Sequence, residues 1–269
     1  MLLNIAGYLL AVVIGATLGL IGGGGSILTV PVLVYVVGVP PLTATAYSLF
    51  VVGLSALIGA GGYLRRGDVR VDVAVGFGVP AVISVFLTRL YLVPALPATL
   101  FRVGDITVTR DTGIMVLFAL LMVLASVSMI RRDPPGQHVH APRSTGTFLL
   151  AVVAEGVVVG VLTGLVGAGG GFLIVPALVV LARLPMKTAV GTSLVIIAGK
   201  SLIGFLGDVE SSAAVDWRFL LAFAAMTAVG ILIGMAASRR VSAARLKPAF
   251  GWFVLIAGAA IMIREVVAV

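Results

Sequence analysis

Residues 19–31 read Gly-Leu-Ile-Gly-Gly-Gly-Gly-Ser-Ile-Leu-Thr-Val-Pro, and 145 positions later residues 164–176 read Gly-Leu-Val-Gly-Ala-Gly-Gly-Gly-Phe-Leu-Ile-Val-Pro. Each glycine costs a helix about 1 kcal/mol relative to alanine, so a glycine run between apolar stretches of helical length reads as an interrupted helix. In a bilayer such backbone persists only where protein or a water-filled cavity satisfies its amides. A second, short helix is expected to start near Ser26 and near Gly171. The N-terminus of a helix presents unpaired N–H groups and a partial positive charge, which suits an anion. The amides of Gly24, Gly25 and Ser26, and of Gly169, Gly170 and Gly171, are therefore candidate anion ligands. Two breaks at matching places in two halves point to a carrier-type binding site.

Two charges fall inside apolar stretches, Lys200 in 187–206 and Glu155 in 147–166. Intramembrane charges cost roughly 2.5–3.5 kcal/mol on insertion scales and mark functional candidates. Two plainer readings stand beside this one. The two charges can pair as a structural bridge, or Lys200 can snorkel toward an acidic outer loop. Arg89, near the end of its span, is expected to snorkel, and Arg183 and Lys187 to anchor cytoplasmic ends. Hydroxyls recur after each short helix: Thr43, Thr45 and Ser48 against Thr188, Thr192 and Ser193. Thr43 and Thr188 read as helix N-caps. Ser48 and Ser193 lie deeper, where they either bond their own helix or face a cavity. Gly15-x-x-x-Gly19 and Gly160-x-x-x-Gly164 permit close helix contact.

Catalytic and cofactor motifs are missing. Ala198-Gly199-Lys200-Ser201 resembles the tail of a phosphate-binding loop, but position 194 is Leu where the leading glycine belongs. The glycine runs do not spell a dinucleotide fingerprint, and there is no H-E-x-x-H. His138 and His140, the only histidines, lie in a polar stretch and cannot complete a metal site by themselves. Without cysteine there is neither a disulfide framework nor a thiolate site. No cofactor and no metal are expected, and an enzyme is disfavoured for want of a nucleophile–base pair.

Of 269 residues 61% are hydrophobic and 10% charged, with mean hydropathy +1.24. That much apolar surface belongs to a polytopic membrane protein. The net charge of +8 would suit a nucleic-acid binder, but the basic residues occupy short gaps between apolar spans and read as loop anchors. The bilayer is thus the expected partner, and nucleic acid is not. The N-terminus lacks a basic region and a small-residue cleavage site, so 3–22 is read as a retained helix.

Ten apolar segments can be drawn, at 3–22, 26–38, 42–64, 71–93 and 112–130, then 147–166, 172–184, 187–206, 216–238 and 246–264. A full crossing needs about 20 residues, so eight are long enough, while 26–38 and 172–184 cross short or re-enter. Set against positions 145 further on, residues 15–59 match at 19 of 45 places, including Pro40/Pro185, Ser48/Ser193 and Gly59/Gly204. The expected organisation is a first membrane repeat (1–130), a linker (131–145) and a second repeat (146–269). An odd number of segments per repeat inverts the second copy. Loop charge agrees: Arg65, Arg66 and Arg70 stand against Asp208, Glu210 and Asp216, and Arg239, Arg240, Arg245 and Lys247 follow the next span. Positive loops face the cytoplasm, which places 65–70, 131–145 and 239–247 inside and both termini outside. The fold expected is all-α, built of two inverted repeats about an axis in the plane of an inner (plasma) membrane.

The doubled motif, with the later Pro-x-x-Thr-Ala strings and Gly191-Thr192-Ser193-Leu194, resembles the paired signature of the TauE/SafE sulfite exporter family over nearly the whole chain. That resemblance implies an integral membrane protein exporting sulfite, organosulfonates or related sulfur-containing anions. The residues agree with it: the two amide nests, with Ser48, Thr192 and Ser193 as hydroxyl donors, make a site for a small oxyanion. Lys200 would add an ammonium, and Glu155 would carry a proton or balance charge. Alternating access of the two repeats is the expected mechanism. An anion channel and a proton-coupled uptake carrier are the alternatives, and a homo-oligomer is left open.

Overall fold

The computed structural model describes residues 2–103, 106–130, 145–180, 184–211, 215–238 and 243–267. In the first half, helix α1 spans Leu2–Ile21, a short helix α2 runs over 23–37, α3 spans Pro41–Leu64 and α4 Val71–Ala95. Strands β1 (Thr99–Val103) and β2 (Ile106–Thr109) form a small antiparallel hairpin ahead of α5, Arg110–Ile130. The second half comprises α6 (Thr145–Val166), α7 (Gly171–Val180), α8 (Met186–Ser211), α9 (Trp217–Ala237) and α10 (Ala243–Val267). The linker residues 131–144, with Pro134, Pro135, His138 and His140, lie outside the described residues, as do Arg183, Arg239 and Arg240.

The distribution of polarity is that of a chain solvated by lipid. On α4, Val71, Val75, Val79, Ile83 and Leu87 recur every fourth residue and stand 47–60% exposed. The buried polar residues among those described are instead hydroxyls, one lysine, one arginine and one aspartate. Among the described residues five helical stretches are long and apolar enough to cross a membrane: Pro41–Leu64, Val71–Ala95, Arg110–Val127, Lys187–Asp208 and Trp217–Ala237. Eight were expected. The described apolar parts of α1 and α6 are Ala6–Leu20 and Val152–Val166, and α2 contributes Gly25–Val37.

Some local expectations are corrected. The gap between the apolar segments 71–93 and 112–130 holds a hairpin: the β-branched run Ile106-Thr-Val-Thr109 pairs with Thr99–Val103, as residues of that kind favour a pleated edge. Thr43 and Thr188 are not N-caps. Each is the third residue of its helix, and the α3 cap position is Pro40, which offers no side-chain acceptor. The four-glycine run Gly22–Gly25 does not lie open as a loop. Gly22 turns at φ 76°, and Gly23–Leu28 then winds tightly as a 3-10 turn before relaxing to a π turn over Val32–Val37.

Glycine sets the helix contacts. A Cβ on Gly15 or Gly19 of α1 would strike the Thr227 or Ile231 carbonyl of α9, and one on Gly230 or Gly234 would strike the Val12 or Ala16 carbonyl of α1. The spacing advances in step, so α1 and α9 run parallel. Gly156 and Gly160 of α6 meet the Phe77 and Ala81 carbonyls of α4 in the same way. Helices α3 and α8 run antiparallel: Gly59 faces Leu194, and Gly204 faces Leu49. Shifting every number by 145 exchanges these two contacts, and it carries the α1–α9 pair onto α6–α4.

Backbone seams of this kind leave no room for a methyl group, and overpacking costs about 1–3 kcal/mol. Gly230→Ala is expected to lower thermal stability in detergent by that order. Gly76→Ala, where a Cβ meets nothing within 4 Å, is expected to change it by less than about 0.5 kcal/mol. Equal stability of the two variants would contradict the α1–α9 seam.

Candidate functional site

The second break is an open turn. Gly167, Gly169 and Gly170 take φ of 71°, 61° and 67°, a region that side chains penalise and glycine enters freely. The Gly167 amide donates to the Thr163 carbonyl at 2.8 Å, closing α6. Leu173 and Ile174 donate to the Gly170 carbonyl at 3.0 Å, opening α7. Gly171 is the first residue of that helix, so its amide precedes any helical acceptor.

Each break leans on the third helix of the other half. A Cβ on Gly22 would sit 2.8 Å from Val190 of α8, and one on Gly167 would overlap Thr45 of α3. These are one contact seen twice, since 22 and 45 become 167 and 190 under the shift of 145. The breaks also meet one another, because a Cβ on Gly169 would lie 3.2 Å from that of Ser26 and 2.5 Å from Val52 Cγ1. Gly25 turns away from this junction and packs on Thr17 and Leu18 of its own α1. Gly24 lies in the 3-10 turn beside it.

Lys200 reaches the second break from α8. Its side chain is fully buried, its Nζ donates to Thr163 Oγ1 at 2.8 Å, and a Cβ on Gly170 would come within 2.8 Å of that Nζ. Thr163 Oγ1 in turn donates to the Val159 carbonyl at 2.7 Å, which leaves its lone pairs for the lysine. Snorkelling is thereby replaced by an inward pose. The bridge to Glu155 is also absent: Glu155 is half-buried on α6, eight residues and about 12 Å of helix rise from Thr163. Among the described residues the ion pairs are Arg70–Asp72 and Arg89–Asp208.

The hydroxyls divide by role. Ser48 and Ser55 flank Val52 on one face of α3; both are fully buried, and neither Oγ makes a hydrogen bond. Ser193 bonds the Val190 carbonyl of its own helix at 2.8 Å. Thr192 accepts the Arg70 amide at 3.0 Å, so it fastens the 65–70 loop to α8. Ser26, Ser48, Gly169, Gly170, Gly171 and Lys200 thus gather around the junction, although the Gly170 amide, read as a free donor for an anion, donates to the Ala168 carbonyl at 2.6 Å. Gly25, Thr192, Ser193 and Glu155 are directed elsewhere.

Sequence reasoning missed four members of this neighbourhood. Thr163 holds the lysine, and Ser55 is the counterpart of Lys200 under the 145-residue shift, a relation visible in the alignment of the two halves. Arg89 was expected to snorkel, but it is fully buried, bonding Thr45 Oγ1 at 3.0 Å and pairing with Asp208 at 3.3 Å. Asp208, assigned to an outer loop, lies in the last turns of α8 and is almost fully buried.

The sulfite exporter TauE/SafE family profile matches residues 8–261. A probable membrane transporter protein of Xylella fastidiosa (strain 9a5c) is 31% identical over 245 residues, covering 90% of this chain and 88% of the relative. The probable membrane transporter protein YdhB of Bacillus subtilis (strain 168) is 26% identical over 223 residues, 82% of this chain and 84% of its own. The probable membrane transporter protein MJ0441 of Methanocaldococcus jannaschii is 23% identical over 206 residues, at 73% and 70% coverage. No solved structure matches the chain.

Thr163 is expected to be the main anchor of Lys200. Thr163→Val removes the acceptor of a buried cationic donor, worth about 1.5–3 kcal/mol, and is expected to lower the unfolding temperature in detergent. Thr163→Ser keeps the hydroxyl and should retain most of that stability. A valine variant as stable as the serine one would refute the anchor.

Proposed function

From the premise that the chain belongs to the sulfite exporter TauE/SafE family of membrane transporters, we propose that it exports sulfite or a related small sulfur-containing oxyanion or organosulfonate. The protein is a multi-pass membrane transporter and not an enzyme; substrate, direction and mechanism are our reading. The observation that carries this reading is the fully buried Lys200 Nζ at the second break, beside Gly170 and one hydrogen bond from Thr163. A fixed cation next to the opening turn of α7 favours an anion, since the helix N-terminus adds a partial positive charge and unpaired amides. Ser48 and Ser55 offer unused hydroxyls on the facing helix, enough for a small ligand with several acceptor oxygens.

The way the halves are joined supports alternating access. The antiparallel α3–α8 contact relates a helix to its own counterpart by a half-turn, which supports inverted repeats about an axis in the plane of the inner membrane. Each break rests on the other half, so rocking one half against the other remakes the Gly22–Val190 and Gly167–Thr45 contacts at opposite faces. The 65–70 loop then faces the cytoplasm, and both termini face outward.

Two experiments bear on this. The chain has no cysteine, so single introduced thiols report topology cleanly. Arg66→Cys is expected to react with an impermeant maleimide only after permeabilisation, and Ala98→Cys in intact cells; the reverse pattern would invert the orientation. In proteoliposomes, sulfite flux is expected to saturate, to show counter-exchange, and to drop at least about tenfold in Lys200→Met protein of unchanged fold. Non-saturating flux without exchange would indicate a channel instead, and unchanged flux in the lysine variant would remove Lys200 from the site.

A further inference from the structure

Arg89 lies in a π turn, Thr88–Leu92, inside α4; such turns are uncommon and frequently mark functional sites. Its side chain has no exposed surface. One nitrogen, Nη1, makes all of its polar contacts among the described residues, donating to Thr45 Oγ1 at 3.0 Å and to Asp208 Oδ1 at 3.3 Å. The other two nitrogens, Nε and Nη2, make no hydrogen bond there. Those two belong to the same edge of the guanidinium. Their N–H bonds point the same way and form the fork that grips two oxygens of one carboxylate, phosphate or sulfonate group.

A purely structural ion pair would be built differently. A buried arginine paired for stability commonly engages its carboxylate through two parallel bonds at about 2.7–2.9 Å. Here the aspartate meets a single nitrogen at 3.3 Å, and a whole fork of donors is buried without an acceptor, which is unfavourable unless a ligand supplies one. The surroundings join this arginine to the second break. Thr45, which it bonds, is the residue that Gly167 rests on, and Thr88 beside it is the residue that Gly164 rests on. Along α8, Asp208 lies eight residues from Lys200, about 12 Å of helix rise. The second break is thus linked to two cations, Lys200 directly at Gly170 and Arg89 through Thr45 at Gly167.

We propose that the Nε–Nη2 edge of Arg89 is a second oxyanion station of the transporter. It takes a ligand with two coplanar oxygens, such as a sulfonate or sulfite, while Asp208 and Thr45 hold the opposite corner of the guanidinium in place. Asp208 also opposes the ligand's charge, so an anion resting on Arg89 is held loosely enough to move on to Lys200 or outward. This rests on the anion-transporter reading above, and it assigns that reading's path a second stop toward the α8 C-terminal end.

The test uses full-length purified protein and three probes, sulfite, methanesulfonate and chloride, with the apparent Kd taken from titrated thermal shifts and from the concentration dependence of flux. Arg89→Lys keeps the charge and loses the fork. It is expected to raise the Kd for both oxyanions about tenfold and to change that for chloride much less. Asp208→Asn removes the opposing carboxylate and is expected to lower the oxyanion Kd severalfold. A structural pair predicts instead that both variants lose stability together and that neither Kd moves; that result overturns the proposal. Should Arg89→Lys not fold, Asp208→Asn decides alone, and a Kd equal to or above wild type sinks the station. Loss of flux in Lys200→Met with unchanged Kd in both other variants would leave the transporter site standing without Arg89. A wild-type protein that responds to none of the three anions would overturn both readings.

Discussion

Backbone that leaves the helix inside a bilayer must find its hydrogen bonds and its packing within the protein. In this chain the need is met by pressing each glycine break against the third helix of the opposite half. Gly22 sits on Val190, Gly167 sits on Thr45, and Gly169 closes on Ser26 where the two breaks touch. No side chain fits at these points, so the repeated glycines hold two halves of one molecule in register. Either half alone would leave its break uncovered.

That constraint explains where polar atoms are tolerated. The region packed by glycine is the place where buried hydroxyls and cations gather: Ser48 and Ser55 on α3, Lys200 on α8, Thr163 on α6 and Arg89 on α4. Each cation is steadied by a threonine, Lys200 by Thr163 and Arg89 by Thr45. Both threonines donate their own hydrogen to a carbonyl of their own helix, Val159 and Leu42 respectively, and so present only lone pairs to the cation. Lys200 is oriented in this way with no ion pair among the described residues, whereas Arg89 is also paired with Asp208.

The two halves are alike in scaffold and unlike in chemistry. Gly15 and Gly160, Gly22 and Gly167, and Gly59 and Gly204 keep equivalent contacts. At the polar positions the equivalence ends: Lys200 corresponds to Ser55, Arg89 to Gly234, and Thr163 to Leu18. The first break is wound into a 3-10 turn while the second stays open at three positive-φ glycines. Lys200 stands at the open break and Arg89 is joined to it through Thr45, so charge is distributed unequally between the two halves.

From the sequence alone came the membrane class, the doubled glycine motif, the start of α7 at Gly171 and the span of α3, because composition and glycine placement act locally along the chain. That Lys200 is a charge costly to bury was legible for the same reason, as one charge in a long apolar run. Its partner was not, since Thr163 lies 37 positions away and only the packing of α8 on α6 joins them. The inward pose of Arg89 and the burial of Asp208 were likewise hidden. Position near a span end suggested snorkelling, but the π turn of α4 and the last turns of α8 direct both side chains at each other. Thr192 shows the converse, a plausible ligand by sequence that tertiary contact assigns to the Arg70 amide. Residue type and spacing determined which groups were costly to bury; only the crossing of distant helices decided which of them had an acceptor within reach.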